Sequence, residues 1–113
     1  MRISEIATAL GIDLEIMQAD YEDREISTGY VSDLLSDVMA NAKADGVLVT
    51  VQAHKNAVAV ASLVGLAAII VCNFRPLPAD MVESARAEGV AVFRTHENAF
   101  EVSGRLWTAL RRP

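Results

Sequence analysis

The sequence predicts a small α/β domain built on a largely parallel sheet with helical crossovers. Three observations point there. Two continuous apolar runs, VLVTV at residues 47–51 and AAIIVC at residues 67–72, have the length and β-branched content of strands covered on both faces. A third strand pattern, VAVFR, follows at residues 90–94. Each run leads into a helix-forming stretch, and the runs begin about 21 residues apart, which suits strand–helix–strand units rather than hairpins. A repeat near 20 residues also marks solenoids, but the connecting loops differ too much for one.

Element by element, ISEIATALG reads as a short amphipathic helix with Ile3, Ile6, Ala7 and Leu10 on one stripe and Gly11 as its stop. A strand candidate covers Leu14–Met17, and an acidic turn covers Asp20–Asp23. GYVSDLLSDVMANAKADG reads as strand end, cap and helix. Ser32 is placed as the N-cap with Asp33 in the first turn, where a carboxylate suits the helix dipole. The apolar face is Leu34, Leu35, Val38, Met39 and Ala42, and Gly46 ends the helix. After VLVTVQ comes HKNAVAVASLVG as loop and helix. After AAIIVCN comes PADMVESARAEG, with Pro78 in an early helical position where its missing N–H costs nothing. After VAVFRT comes HENAFEVSGRLWTALRR, with Thr95 as the expected cap and Glu97 and Asn98 in the first turn. Residues 47–51, 68–72 and 90–94 are therefore expected as strands of one sheet.

The chain has 113 residues, 52% hydrophobic and 22% charged, which suits one ordered domain with a sizeable core. We expect a single unit over residues 1–113, with an N-terminal helix and strand in 1–28 and the core in 29–113. A formal net charge of −5 argues against nonspecific nucleic-acid binding. The longest apolar stretch, residues 57–72, is too short for a membrane span and is broken by Ser62 and Gly65. No signal peptide is visible in MRISEIATAL. The one cysteine, Cys72, has no partner for an internal disulfide and closes an apolar run, so it reads as a buried structural thiol in a reduced, cytoplasmic protein.

Both histidines lie in nearly identical tetrads, HKNA at 54–57 and HENA at 96–99. Each tetrad follows a strand and opens a helix, so the two read as one joint used twice rather than as a metal or catalytic pair. The carboxyl ends of parallel strands are where α/β folds hold ligands. The loops there carry His54, Lys55 and Asn56, then Asn73, Phe74 and Arg75, then Arg94, Thr95 and His96. Helix N-termini with free N–H groups, together with Lys55, Arg75 and Arg94, make an anion or nucleotide site physically reasonable, with the asparagines as hydrogen-bond donors. The competing reading is of ordinary polar loop residues. The sequence has no CxxC, no HExxH and no Gly-rich phosphate loop, so neither a metal site nor a cofactor is expected.

The layout resembles the DRTGG domain family over residues 29–107. GYVSDLLSDVM is similar to the family's opening turn and helix, and GVLVTVQAHKNAVAVA to its strand and first signature loop. GLAAIIVCNFRPLPADMVESARAEGVAVFRT is similar to the strand, second signature loop and helix–strand, and THENAFEVSGRL to the last helix. The family's Asp-Arg pair is replaced by His54-Lys55 or Lys55-Asn56, and its Thr-Gly-Gly by Cys72-Asn73-Phe74 or Asn73-Phe74-Arg75. The resemblance implies a small α/β module of the kind found alone, at the N-terminus of HPr kinase and in the regulatory insert of CBS-domain pyrophosphatases. It implies a regulatory or dimerising role beside a metabolic enzyme, not a catalytic one. A homodimer is also expected because AVAVASLVG offers only Ser62 as a polar face, unless the N-terminal segment covers that helix. The alternatives are a small enzyme using His54 or His96 as general base on a phosphorylated or carboxylated substrate, and a purely structural interaction domain.

Overall fold

The computed structural model describes residues 1–112. Ile3–Glu5 form one 3-10 turn that runs into α1 (Ile6–Leu10), closed by Gly11 in the left-handed conformation at φ 65°. The other elements are β1 (Glu15–Gln18), β2 (Gly29–Val31), α2 (Leu35–Asn41), β3 (Val47–Thr50), α3 (Lys55–Val64), β4 (Ala68–Val71), α4 (Ala79–Glu88), β5 (Ala91–Arg94) and α5 (Ala99–Leu110). The sheet order is β1-β5-β4-β3-β2. Strands β2 to β5 are parallel, and β1 joins β5 antiparallel. The three expected strands are present and largely parallel as read.

Alternation along the strands splits the core in two. Val47, Val49, Ala68, Ile70, Ala91 and Phe93 point to one side, where they meet Ile3, Ile6 and Leu10 of the N-terminal segment and Val102 and Leu106 of α5. Leu48, Ile69, Val71 and Val92 point to the other side, against Val38, Val58, Ala61, Met81 and Ala85 of α2, α3 and α4. A strand with both faces covered needs no polar positions, and β3 and β4 are buried at all four residues.

Several local expectations are corrected. Ser32 does not cap a helix. The helix starts at Leu35, and the Ser32 hydroxyl accepts from the Leu34 N–H at 3.2 Å in a turn before it. Asp33 is turned to the sheet end instead of the first helical turn, because it meets donors there: Thr50 Oγ1 at 2.9 Å and Val51 N–H at 2.8 Å. The same bond ends β3 at Thr50. Leu34 and Met39 are exposed, and only Val38 of the expected α2 face is fully buried, because a seven-residue helix has room for little more than one inward turn. That helix stops at Asn41, five residues before Gly46. At Gly46 an added Cβ would meet the Lys43 carbonyl at 2.9 Å, so the glycine serves a tight approach into β3. Pro78 is the N-cap of α4 rather than its first residue. The apolar character of α3 is met within one chain, by α2 and α4 on either side and the sheet beneath, not by the N-terminal segment; Leu63 remains exposed.

Candidate functional site

The carboxyl ends of β2 to β5 lie at one end of the sheet, and β1, running the other way, starts there. Each strand ends in its own way. After β3, Gln52 N–H donates to Thr50 Oγ1 at 3.1 Å, and the chain turns into α3 with His54 as N-cap. His54 Nδ1 accepts from Asn56 N–H at 3.0 Å, which places the ring proton of a neutral His54 on Nε2. Lys55 and Asn56 are the first exposed residues of α3.

After β4, Asn73 and Phe74 both take positive φ, 59° and 47°. Two such residues in succession make a type I′ turn, closed by Arg75 N–H to the Cys72 carbonyl at 3.4 Å. Phenylalanine rarely adopts this conformation, at a cost of order 1 kcal/mol. Contacts on both ends of the turn hold it. Asn73 N–H donates to the Glu97 carbonyl at 3.0 Å and Phe74 N–H to the Thr95 carbonyl at 2.7 Å. The Phe74 ring stacks on His96 at 3.8 Å and 8°, and the Arg94 guanidinium lies 3.8 Å from its centroid. Arg75 points into solvent beyond the turn.

After β5, Thr95 is fully buried and His96 exposed. Thr95 Oγ1 donates to Asp13 Oδ1 at 3.0 Å and accepts from Glu97 N–H at 3.2 Å. His96 Nδ1 lies 2.6 Å from Asp13 Oδ2. These bonds hold the Asp13 carboxyl below its ordinary range, with the His96 bond the larger cause and the Thr95 bond the next to lower it. Arg94 pairs with Glu15 at 3.2 Å, while its Nε is buried without a partner. The Cys72 thiol, at the end of β4, is pushed up to about 11 by burial and then by the nearby Asp33 carboxylate, so it stays protonated at neutral pH.

Apart from Phe74, the strand-end residues selected from the sequence thus fall into two groups and one outlier. Asn73, Arg94, Thr95 and His96 belong to one contact network. His54, Lys55 and Asn56 form a separate turn whose bonds are local, and Arg75 stands apart. Among the described residues neither Lys55 nor Arg75 takes part in an ion pair, whereas Arg94 is matched by a carboxylate. Thr95 is not the cap of α5. Asn98 is, accepting from Glu101 N–H at 3.0 Å, because the Thr95 hydroxyl is taken by Asp13 and Glu97. The two tetrads are therefore not equivalent joints. The sheet register sets Val47 level with Ala68 and Ala68 level with Ala91, an offset of 44 residues, while the tetrads are 42 apart. His54 caps its helix, and His96 lies two residues before a cap.

No protein-family model matches the chain, and no curated protein matches it. Among solved structures it is similar to the CBS and DRTGG domains of the regulatory region of Clostridium perfringens pyrophosphatase, complexed with the activator diadenosine tetraphosphate. The TM-score is 0.72 with 12% identity. The fold is DRTGG-like. The match covers 96% of this chain, which spans 46% of the length of that one. At that identity the likeness concerns the backbone, so the DRTGG-like sheet here carries its own set of strand-end side chains. Asp13 and Glu15 are the members that sequence reasoning missed, and Phe74 was placed in its loop without a role. Asp13 and His96 are 83 residues apart in the chain. The available signal was an acidic residue at the start of the first strand candidate, read without its antiparallel partner.

Proposed function

We propose that the protein is a regulatory, ligand-sensing domain that is not itself an enzyme, that dimerises, and that acts with a metabolic enzyme in a reduced, cytoplasmic setting. The observation that carries this reading is the fold likeness, over nearly the whole chain, to the regulatory region of a pyrophosphatase whose structure holds a dinucleotide activator. The sheet's carboxyl end supports it: an anionic ligand there would meet the unpaired cations Lys55 and Arg75, the exposed amides of Asn56 and Asn73, and the Phe74–His96 stack. Arg94 would act through its hold on Phe74 rather than as a free charge, because Glu15 already neutralises it. The test is calorimetric titration of the full chain with adenine nucleotides and diadenosine polyphosphates. Binding that Lys55→Ala and Arg75→Ala each weaken about tenfold supports the site. Absence of binding across the panel at millimolar ligand would refute it.

A second reading is favoured by one contact. A histidine held 2.6 Å from a carboxylate is the arrangement of a general base with its orienting group. In that reading His96 would work on a phosphorylated or carboxylated substrate, with Asp13 fixing its tautomer. His96 is exposed, so a substrate would meet its ring from the solvent side. Turnover of a phosphoester panel that is lost in His96→Ala would select this reading.

A further inference from the structure

The two edges of the sheet are finished differently. β1 is irregular, with its register shifting between Ile16 and Gln18, and its Glu15 is tied to Arg94. Such breaks keep an edge from pairing with another strand. β2 has no bulge, proline or lysine. Thr28 and Ser32 bond to β3 through Val47 N–H and the Val49 carbonyl, so the alternation turns the backbone groups of Gly29 and Val31 outward. Val31 is 51% exposed. Beside this edge runs the outer face of α5, with Phe100 88% and Trp107 61% exposed. Between those aromatics lie Ser103 and Gly104. A Cβ at Gly104 would meet nothing within 4 Å, so nothing in the single chain calls for a glycine in mid-helix, where it weakens the helix. A cleft of about 110 Å³, lined by Gly29, Val31, Ser103, Leu106 and Trp107 among others, joins the helix face to the strand edge.

We infer that this edge and helix face form the contact with a second copy of the chain, with β2 pairing antiparallel to its counterpart so that two five-stranded sheets become one. The inference rests on the dimerising part of the reading above and gives it a location. The surface is self-complementary about one two-fold axis. An axis through Tyr30 sets Gly29 against the partner's Val31, so the outward N–H and C=O groups of each meet those of the other. On α5 an axis between Ser103 and Gly104 sets Trp107 against the partner's Phe100, and the small residues at the centre let the helices approach closely. Charge follows the same symmetry. Lys43, beside Thr28 and Gly29, comes toward the partner's Asp33 beyond Val31, and Arg111, stacked 3.1 Å over Trp107, comes toward the partner's Glu97. An unrelated peptide could use the strand edge, but it would leave the glycine notch and the aromatic pair unexplained.

The test uses light scattering and sedimentation of the full chain at 1 to 100 μM (on the order of the concentrations where such contacts form). Wild type is expected to run as a dimer. Gly104→Arg has open space and better helix propensity, so its melting temperature at low concentration should hold or rise while dimerisation weakens at least tenfold. Leu63→Arg, at an exposed apolar position on α3 across the sheet from α5, should leave the dimer intact. Amide exchange at Gly29 and Val31 should slow as wild-type concentration rises. A wild-type monomer would overturn both this inference and the dimerising reading. A dimer that survives Gly104→Arg and falls apart with Leu63→Arg would overturn this surface alone, as would loss of the dimer in both variants.

Discussion

Thr50 and Thr95 are both completely buried, and each stands where a strand turns toward a helix. Each hydroxyl accepts from the N–H two residues on, at 3.1 and 3.2 Å, and donates to an aspartate from the neighbouring edge strand, at 2.9 and 3.0 Å. Asp33 follows β2 beside β3; Asp13 precedes β1 beside β5. The repeated joint of this molecule is therefore a threonine with an aspartate, and the histidine tetrads only lie near it. The difference is in what the second carboxylate does next. Asp33 spends the same oxygen again on the backbone at Val51, while Asp13 turns its other oxygen to an exposed imidazole stacked on a strained phenylalanine. One copy closes the structure, and the other presents a group to solvent.

No effect should exceed those where the two joints are alike. Thr50→Val and Thr95→Val each remove the two hydrogen bonds of a buried hydroxyl whose partners are themselves partly exposed, and each should cost about 1 kcal/mol in denaturant unfolding. A cost at one site and none at the other would break the equivalence. The histidines should separate the joints. His54→Ala removes an N-cap and should cost about 1 kcal/mol, whereas His96→Ala removes an exposed side chain and should cost less than about 0.5 kcal/mol. Their partners are on different elements, so the double variant should equal the sum to within about 0.5 kcal/mol. A strongly non-additive result would mean that the joints communicate.

Acid should test the Asp13 joint. In the folded chain Asp13 gives up its proton more readily than its usual value of 3.8, chiefly through His96 and then Thr95. The unfolded chain then binds more protons as pH falls, so this contribution is complete above the ordinary carboxylate range and is lost as pH drops through the lowered folded value. Asp13→Asn should flatten the acid limb of the stability curve below about pH 4. An unchanged limb would show the bond to be energetically idle. The smallest effect belongs to Cys72, which lies between the joints and is sensitive to Asp33. Asp33→Asn should lower its pKa slightly and Asp13→Asn should not, as read from the pH dependence of alkylation. Native alkylation at pH 7 should be slow in all three proteins.

The core strands were legible because residues inside a two-sided sheet are mostly apolar, and VLV, AIIV and AVF carry that constraint up to the polar strand ends Thr50 and Arg94. The helix entrances were less so. Ser32, Thr95 and Asn98 are all competent caps, and the choice among them is made by which hydroxyl or carboxylate another element claims first. Asp33 and Asp13 make those claims from outside the local sequence. The site was half visible: the loops could be placed from the strand order, but the Asp13–His96 and Arg94–Glu15 contacts depend on an antiparallel edge strand only four residues long, too short to announce its direction.

That edge strand also fixes an order of assembly. β2 to β5 can pair with neighbours as each emerges from the ribosome, every strand meeting the one made just before it. β1 is made first of all and has no partner until residues 91–94 exist, with Glu15 and Arg94 separated by 79 residues. Residues 1–4 can bond to residues 23–26 as soon as those are made, but β1 itself stays unpaired until β5 exists, and its docking is the long-range step that closes the sheet. Because the same docking delivers Asp13 to Thr95 and His96, a nascent or truncated chain would have the parallel core without the finished β5 loop, and that loop becomes a marker of completed folding.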